Sequence, residues 1–123
     1  MKLLREGKTF LERDPILRRI VGIIVEVLDP DRIILFGSRA RGDYDEDSDY
    51  DILVLKDGVR PHERKKLQRM VRNALMEAGV YSFRDIDVVV QDSERFRDLS
   101  KSRYMLYYWA KDEGVVLYDK AGV

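Results

Sequence analysis

The segment Arg32–Phe36 is apolar on both sides of an extended chain, with Ile33 and Leu35 pointing one way and Ile34 and Phe36 the other. A strand of this kind belongs inside a sheet covered on both faces. A second apolar strand follows at Tyr50–Leu55, and the two are joined by a polar, turn-rich stretch of about a dozen residues, which is not a helical crossover. A third strand is expected at Asp85–Val90. With 123 residues to supply the cover, the chain reads as a single domain spanning residues 1–123.

Helices supply that cover. Met1–Arg13 is weakly helical, with Leu3, Leu4, Phe10 and Leu11 at one-face spacing. Asp14-Pro15 then offers an N-cap and a proline at the first helical position. Ile16, Leu17, Ile20, Val21, Ile24, Val27 and Leu28 follow the rhythm of an amphipathic helix, which Asp29-Pro30-Asp31 stops. Pro61–Ala78 is expected to be helical up to Gly79, and Arg95–Asp112 to form one last helix, followed by an extended tail, Val115–Tyr118. The order helix, strand, strand, helix, strand, helix gives the α+β class: a small mixed sheet with helices packed on it.

Composition excludes several functions. Charged residues make up 37% of the chain, yet 23 basic residues balance 23 acidic ones, so no net positive charge draws it to nucleic acid. Without cysteine there is no disulfide framework, zinc ribbon or thiol nucleophile. No segment approaches the roughly 18 apolar residues that span a bilayer, and no signal peptide is evident, so a cytoplasmic protein is expected. His62, the single histidine, lies in the polar Pro61-His62-Glu63-Arg64-Lys65 stretch and reads as a surface residue.

The chemistry lies between the first two strands. From Asp43 to Asp51, six of nine residues are acidic, a density that calls for either solvation on a loop or a bound cation. Asp49 and Asp51 stand at i and i+2 where the second strand begins, so their carboxylates project from one face and can converge. A hard divalent cation neutralises such a pair. Mg²⁺ takes few protein carboxylates and fills its shell with water and phosphate oxygens, so a phosphate-bearing substrate is expected. Gly37 lets a ligand approach the backbone at the end of the first strand, and a short helix starting at Ser38 would offer free amides and a hydroxyl to an anion. Arg39 and Arg41 are placed to pair with phosphate oxygens. Together these features suit phosphoryl or nucleotidyl transfer. A P-loop is excluded because Asp43 and Tyr44 follow Gly42, and no EF-hand register from Asp43, Asp45 or Asp47 supplies the glycine and glutamate required.

Gly37-Ser38, ten residues, then Asp49-Tyr50-Asp51 resembles the signature of the DNA polymerase β-like nucleotidyltransferases. With Ala40-Arg41-Gly42 inside it and Ser48 before the first aspartate, the string is most similar to the minimal nucleotidyltransferases, and the likeness covers nearly the whole chain. That resemblance implies a polymerase β-like fold and a third carboxylate on a later strand, Asp87, with Asp85 one pleat earlier as the alternative. It implies that Asp49, Asp51 and Asp87 hold Mg²⁺, as a two-metal site, around a nucleoside triphosphate such as ATP. Gly37 and Ser38 would hold the terminal phosphates, and Arg39 and Arg41 would neutralise the leaving group.

The chain stops soon after its third strand and one helix, so the acceptor is expected to be presented by a partner or by another copy of the chain. Minimal nucleotidyltransferases resembling this one pair with HEPN-domain proteins in toxin–antitoxin systems, which implies AMP transfer to a tyrosine of the HEPN toxin. The alternatives are an antitoxin that acts by contact alone and a stand-alone enzyme acting on a small molecule or an RNA end. Of twelve aromatic residues, six fall in the last 28, with Tyr104/Tyr108 and Met105/Trp109 as i, i+4 pairs. One stripe of these is expected to pack on the sheet, and the remainder to form a partner or homodimer surface.

Overall fold

The structure is a computed structural model and describes residues 1–80, 85–102 and 106–122. Its elements run α1 (Leu4–Arg13), α2 (Pro15–Leu28), β1 (Arg32–Phe36), α3 (Ser38–Arg41), β2 (Tyr50–Lys56), a 3-10 turn (Pro61–Glu63), α4 (Arg64–Glu77), β3 (Ile86–Asp92), α5 (Ser93–Leu99), α6 (Leu106–Glu113) and β4 (Val115–Asp119). The strands form one sheet in the order β3-β2-β1-β4, with β1 antiparallel to both β2 and β4, and β2 parallel to β3. This is the mixed sheet expected.

Both faces of the sheet are buried, as the double-sided pattern of β1 requires. Ile33, Leu35, Tyr50, Ile52, Val54, Ile86 and Val90 pack with Leu17, Ile20 and Ile24 of α2 and Val71 and Leu75 of α4. The reverse face carries Ile34, Phe36, Leu53, Leu55 and Val116, which meet Phe96 of α5 and Tyr107 and Ala110 of α6. A polar knot under α6 ties three elements together: the Tyr107 hydroxyl accepts from Arg64 Nη2 and from Gln91 Nε2, each at 3.0 Å.

Helix ends follow their local chemistry. Asp14 Oδ1 accepts the amides of Ile16 (3.0 Å) and Leu17 (3.1 Å) at the start of α2, and Asp29 ends that helix with a left-handed backbone (φ 46°). A Cβ built on Gly7 would overlap the Val116 carbonyl, so the glycine lets α1 lie directly on β4. His62 is exposed, as expected.

Two elements differ from the sequence expectation. The last helix is not continuous over Arg95–Asp112 but divides into α5 and α6. Ser100 Oγ donates to the Arg97 carbonyl (3.0 Å), and the amides of Lys101 and Ser102 close short turns onto Asp98 and Leu99. Serine side chains competing for backbone groups in this way favour helix ends over helix interiors. The tail, in turn, is a full strand. β4 pairs with β1, and Arg32 fixes the far end by donating Nε and Nη2 to Asp119 Oδ2 at 3.2 and 3.0 Å. No helix among the described residues is long and apolar enough to cross a membrane.

Asp14 serves two structural roles, because its Oδ2 also accepts the Tyr50 hydroxyl at 2.7 Å. Asp14→Ala is expected to lower unfolding free energy by about 1–3 kcal/mol, the loss of a cap together with a part-buried hydrogen bond, as read from the urea midpoint.

Candidate active site

The sheet ladder brings the acidic residues together. Asp51 lies directly beside Asp87 across the parallel β2–β3 pair, and it faces Phe36 across the antiparallel β1–β2 pair. Laterally paired residues share a face, and Asp49, just before β2, is near enough for its charge to act on Asp51. The shared face is that of Leu53 and Leu55, covered further along by α5 and α6. Asp51 and Asp87 therefore emerge from one side of the sheet, at the end where Asp49 enters β2.

Gly37 stands over this end. Its backbone (φ 75°, ψ −160°) is one that residues with a side chain avoid, and a Cβ there would overlap Asp51 Oδ2. The glycine thus leaves the volume that the Asp51 carboxylate fills. Ser38 begins α3, whose first amides have no intrahelical acceptor. Only the amides of Ala40 and Arg41 (both to Gly37 O, 3.1 Å) and Gly42 (to Ser38 O, 2.9 Å) are satisfied by this turn.

The site is electrostatically unbalanced. Asp51 is half-buried, and its carboxyl is pushed above the ordinary aspartate range, first by burial and then by the charges of Asp87 and Asp49; Arg41 offsets part of the shift. No hydrogen bond or ion pair holds Asp49, Asp51 or Asp87 among the described residues. Nor do any three acidic or histidine side chains there draw together into a ready metal cage. The donors of Asp49, Asp51 and Asp87 are all carboxylate oxygens, the ligand type that a hard divalent cation such as Mg²⁺ takes.

The remaining sequence candidates divide. Arg41 Nη1 is bound to Glu113 Oε1 at 3.0 Å and its Nε lies 3.3 Å from Asp43, which keeps the guanidinium exposed and on the carboxylate side. Arg39 leaves the site: it is buried on the opposite side, against the backbone of residues 45–48. Asp85 precedes β3, where its carbonyl accepts the Tyr50 amide (3.0 Å), and it is absent from the charges acting on Asp51. Glu113 was missed by the sequence reading. It lies 72 residues from Arg41, and nothing local to either residue signals the contact.

A cavity of about 670 Å³ opens beside Phe10, Asp14, Leu35, Arg39, Tyr44 and Tyr50. Leu35 and Tyr50 belong to the α2–α4 face, so this space lies across the sheet from the carboxylates. In the aromatic C-terminal region Phe96 and Tyr107 are buried, whereas Trp109 is 51% exposed. Tyr104 and Met105, and hence both expected i, i+4 pairs, lie outside the described residues.

A family model described as "Polymerase beta, Nucleotidyltransferase" matches residues 18–121. The chain belongs to this nucleotidyltransferase family. Among relatives, "Putative protein adenylyltransferase MJ0604" of Methanocaldococcus jannaschii is 36% identical over 87 residues, 71% of this chain and 77% of that protein. "Putative protein adenylyltransferase MJ0141" of the same organism is 76% identical over 25 residues, which is 20% of this chain and only a quarter of that relative. The crystal structure of a "putative nucleotidyltransferase" from Sulfolobus solfataricus aligns with a TM-score of 0.62 at 20% identity, over 96% of this chain and 88% of that one. A mutant of the toxin–antitoxin MntA-HpeT aligns with a TM-score of 0.51 at 20% identity, over 84% and 73%. The resemblance to minimal nucleotidyltransferases and the expected polymerase β-like fold are both borne out.

The upward shift at Asp51 has a consequence for stability. A carboxyl raised in the folded state binds its proton more tightly there than in the unfolded chain, so stability falls as pH rises through the folded value. Asp51→Asn is therefore expected to raise the melting temperature at pH 7 in divalent-free buffer. The gain should shrink as acid protonates Asp51 in the parent, as followed by thermal melts across pH.

Proposed function

We propose that this nucleotidyltransferase moves AMP from ATP to a protein hydroxyl, a tyrosine of a HEPN-type toxin partner, and so acts as an antitoxin. The observation that carries the reading is the placement of Asp51 and Asp87 side by side across β2–β3, with Asp49 just before β2 and Gly37 above Asp51. The names of two relatives as protein adenylyltransferases, and a toxin–antitoxin among the structural neighbours, support this acceptor class.

Asp49, Asp51 and Asp87 would hold Mg²⁺, which supplies charge neutralisation at the phosphates and a polarised acceptor oxygen. The chain's own residues do the rest. Ser38, through its hydroxyl and the first amides of α3, receives the β- and γ-phosphates. Arg41, already on the carboxylate side, exchanges Glu113 for the phosphate charge that develops on the leaving group. Asp87, exposed at the mouth, takes the proton of the attacking hydroxyl. The acceptor oxygen bonds to the α-phosphorus, the bond from that phosphorus to the β-phosphate bridge breaks, and pyrophosphate departs.

The test mixes the purified protein, labelled ATP, Mg²⁺ and a co-expressed HEPN-domain protein. Label is expected on a partner tyrosine, with transfer abolished in Asp49→Asn and Asp51→Asn. Partner inhibition without label would replace the reading with a contact antitoxin, and turnover of free small molecules or RNA ends with a stand-alone enzyme. Ser38→Ala should lower the rate roughly 10- to 100-fold with the melting temperature unchanged, as expected for loss of a phosphate-binding donor.

A further inference from the structure

Arg39 follows Ser38 directly, but its side chain turns away from the carboxylates. It is 6% exposed, and its guanidinium gathers the acidic segment from behind. Nε donates to the Ser48 carbonyl at 3.0 Å, and Nη2 donates to the carbonyls of Asp45 and Glu46 at 3.3 and 3.4 Å. The guanidinium carbon lies 4.0 Å from the centroid of the Tyr50 ring and 4.9 Å from that of Tyr44. Nη1 comes within 3.9 Å of Asp14 Oδ2, the same oxygen that accepts the Tyr50 hydroxyl. One buried cation therefore connects three loop carbonyls, two aromatic rings and the cap of α2.

The chemistry needs an arginine. A planar guanidinium presents its donors in the ring plane while both of its faces remain free to stack, which an ammonium cannot do. The segment it grips also needs a tether. Residues 43–51 carry six acidic groups that repel one another. Within the loop, the Ser48 amide to Asp45 O (3.2 Å) and contacts among Asp45, Asp47 and Ser48 side chains and amides close the turn. Ser48 is the residue immediately before Asp49, so where its carbonyl is held sets where Asp49 stands beside Asp51.

We propose that Arg39 is a positioning residue for nucleotidyl transfer: from the far side of the sheet it clamps residues 45–48 and thereby places Asp49, without touching the triphosphate. The inference rests on the three-carboxylate reading of the site. It replaces the expectation that Arg39 pairs with phosphate, because reaching the phosphates would require giving up three carbonyls and two ring faces.

Hydrogen exchange on the nucleotide-free, metal-free protein tests the clamp directly. In Arg39→Lys, the amides of Asp45, Asp47 and Ser48 should exchange at least roughly ten-fold faster, with β1 and β2 unchanged. Tyr44→Ala, which strips an exposed face of the stack and leaves the core intact, should speed the same amides to a lesser degree. In the transfer assay Arg39→Lys should lower kcat roughly 10- to 100-fold, the scale set by a misplaced catalytic group. KM for ATP should stay within about two-fold, as it does when substrate binding is untouched. Unchanged loop exchange in both variants overturns the clamp whatever the activity, and a KM raised about ten-fold at constant kcat assigns Arg39 to the phosphates instead. Transfer that survives Asp51→Asn is a separate failure: it removes the site reading, while the exchange experiment still decides the clamp.

Discussion

The site depends on one contact between neighbouring strands: the carboxylate of Asp51 under the bare backbone of Gly37. Phe36 faces Asp51 in the β1–β2 ladder, so the residue after Phe36 must pass over that carboxylate as the chain turns into α3. Slipping the register by one residue would send Asp51 to the Tyr50–Ile52 face, into the layer packed by α2. Hydrophobic burial alone does not forbid that slip, because Ile52, Leu53, Val54 and Leu55 are buried on both faces. The register is therefore pinned by polar features at the strand ends, namely Gly37 over Asp51, the Tyr50 hydroxyl on Asp14 and Arg32 on Asp119.

The two arginines of α3 show how a four-residue helix can serve both sides of a sheet. Positions i and i+2 on a helix point about 200° apart, so Arg39 and Arg41 cannot share a target. Arg39 goes to the back, among Tyr44, Tyr50 and the loop carbonyls, and is buried. Arg41 goes to the front, where it remains exposed between Asp43 and Glu113. The buried cation is committed to structure and the exposed one is available to a ligand. In front, Arg41 offsets only part of the upward shift that burial and the charges of Asp87 and Asp49 impose on Asp51.

Much of this was legible in the sequence wherever the signal is local. Asp14-Pro15 reads as a helix start because cap and proline act within one turn, and the structure places two amides on Asp14. What escaped is set by partners distant in the chain. Val115–Asp119 becomes a strand because β1 has a free edge for it, which no local pattern in a five-residue tail declares. The break after Leu99 comes from serine hydrogen bonds that compete with an otherwise helical, aromatic-rich run. The direction of Arg39 is not legible from its adjacency to Ser38, because the offset of about 200° between i and i+2 that frees Arg41 for the front sends Arg39 behind.

The position of β3 in the sheet sets how far each carboxylate is exposed. In the order β3-β2-β1-β4, β3 pairs only with β2 among the described residues. Asp87 is accordingly the exposed member of the trio, while Asp51, on a central strand, is half-buried between its neighbours. This gradient of exposure gives the two carboxylates different chemistry: the inner one is partly desolvated and holds its proton more tightly, and the outer one faces solvent. On the β1 side the front carries Gly37 and the Arg41–Glu113 pair, which links α3 to α6. The large cavity near Phe10 and Tyr44 lies across the sheet, on the face of Leu35 and Tyr50, so the carboxylates and the cavity are separated by the β1–β2 layer itself.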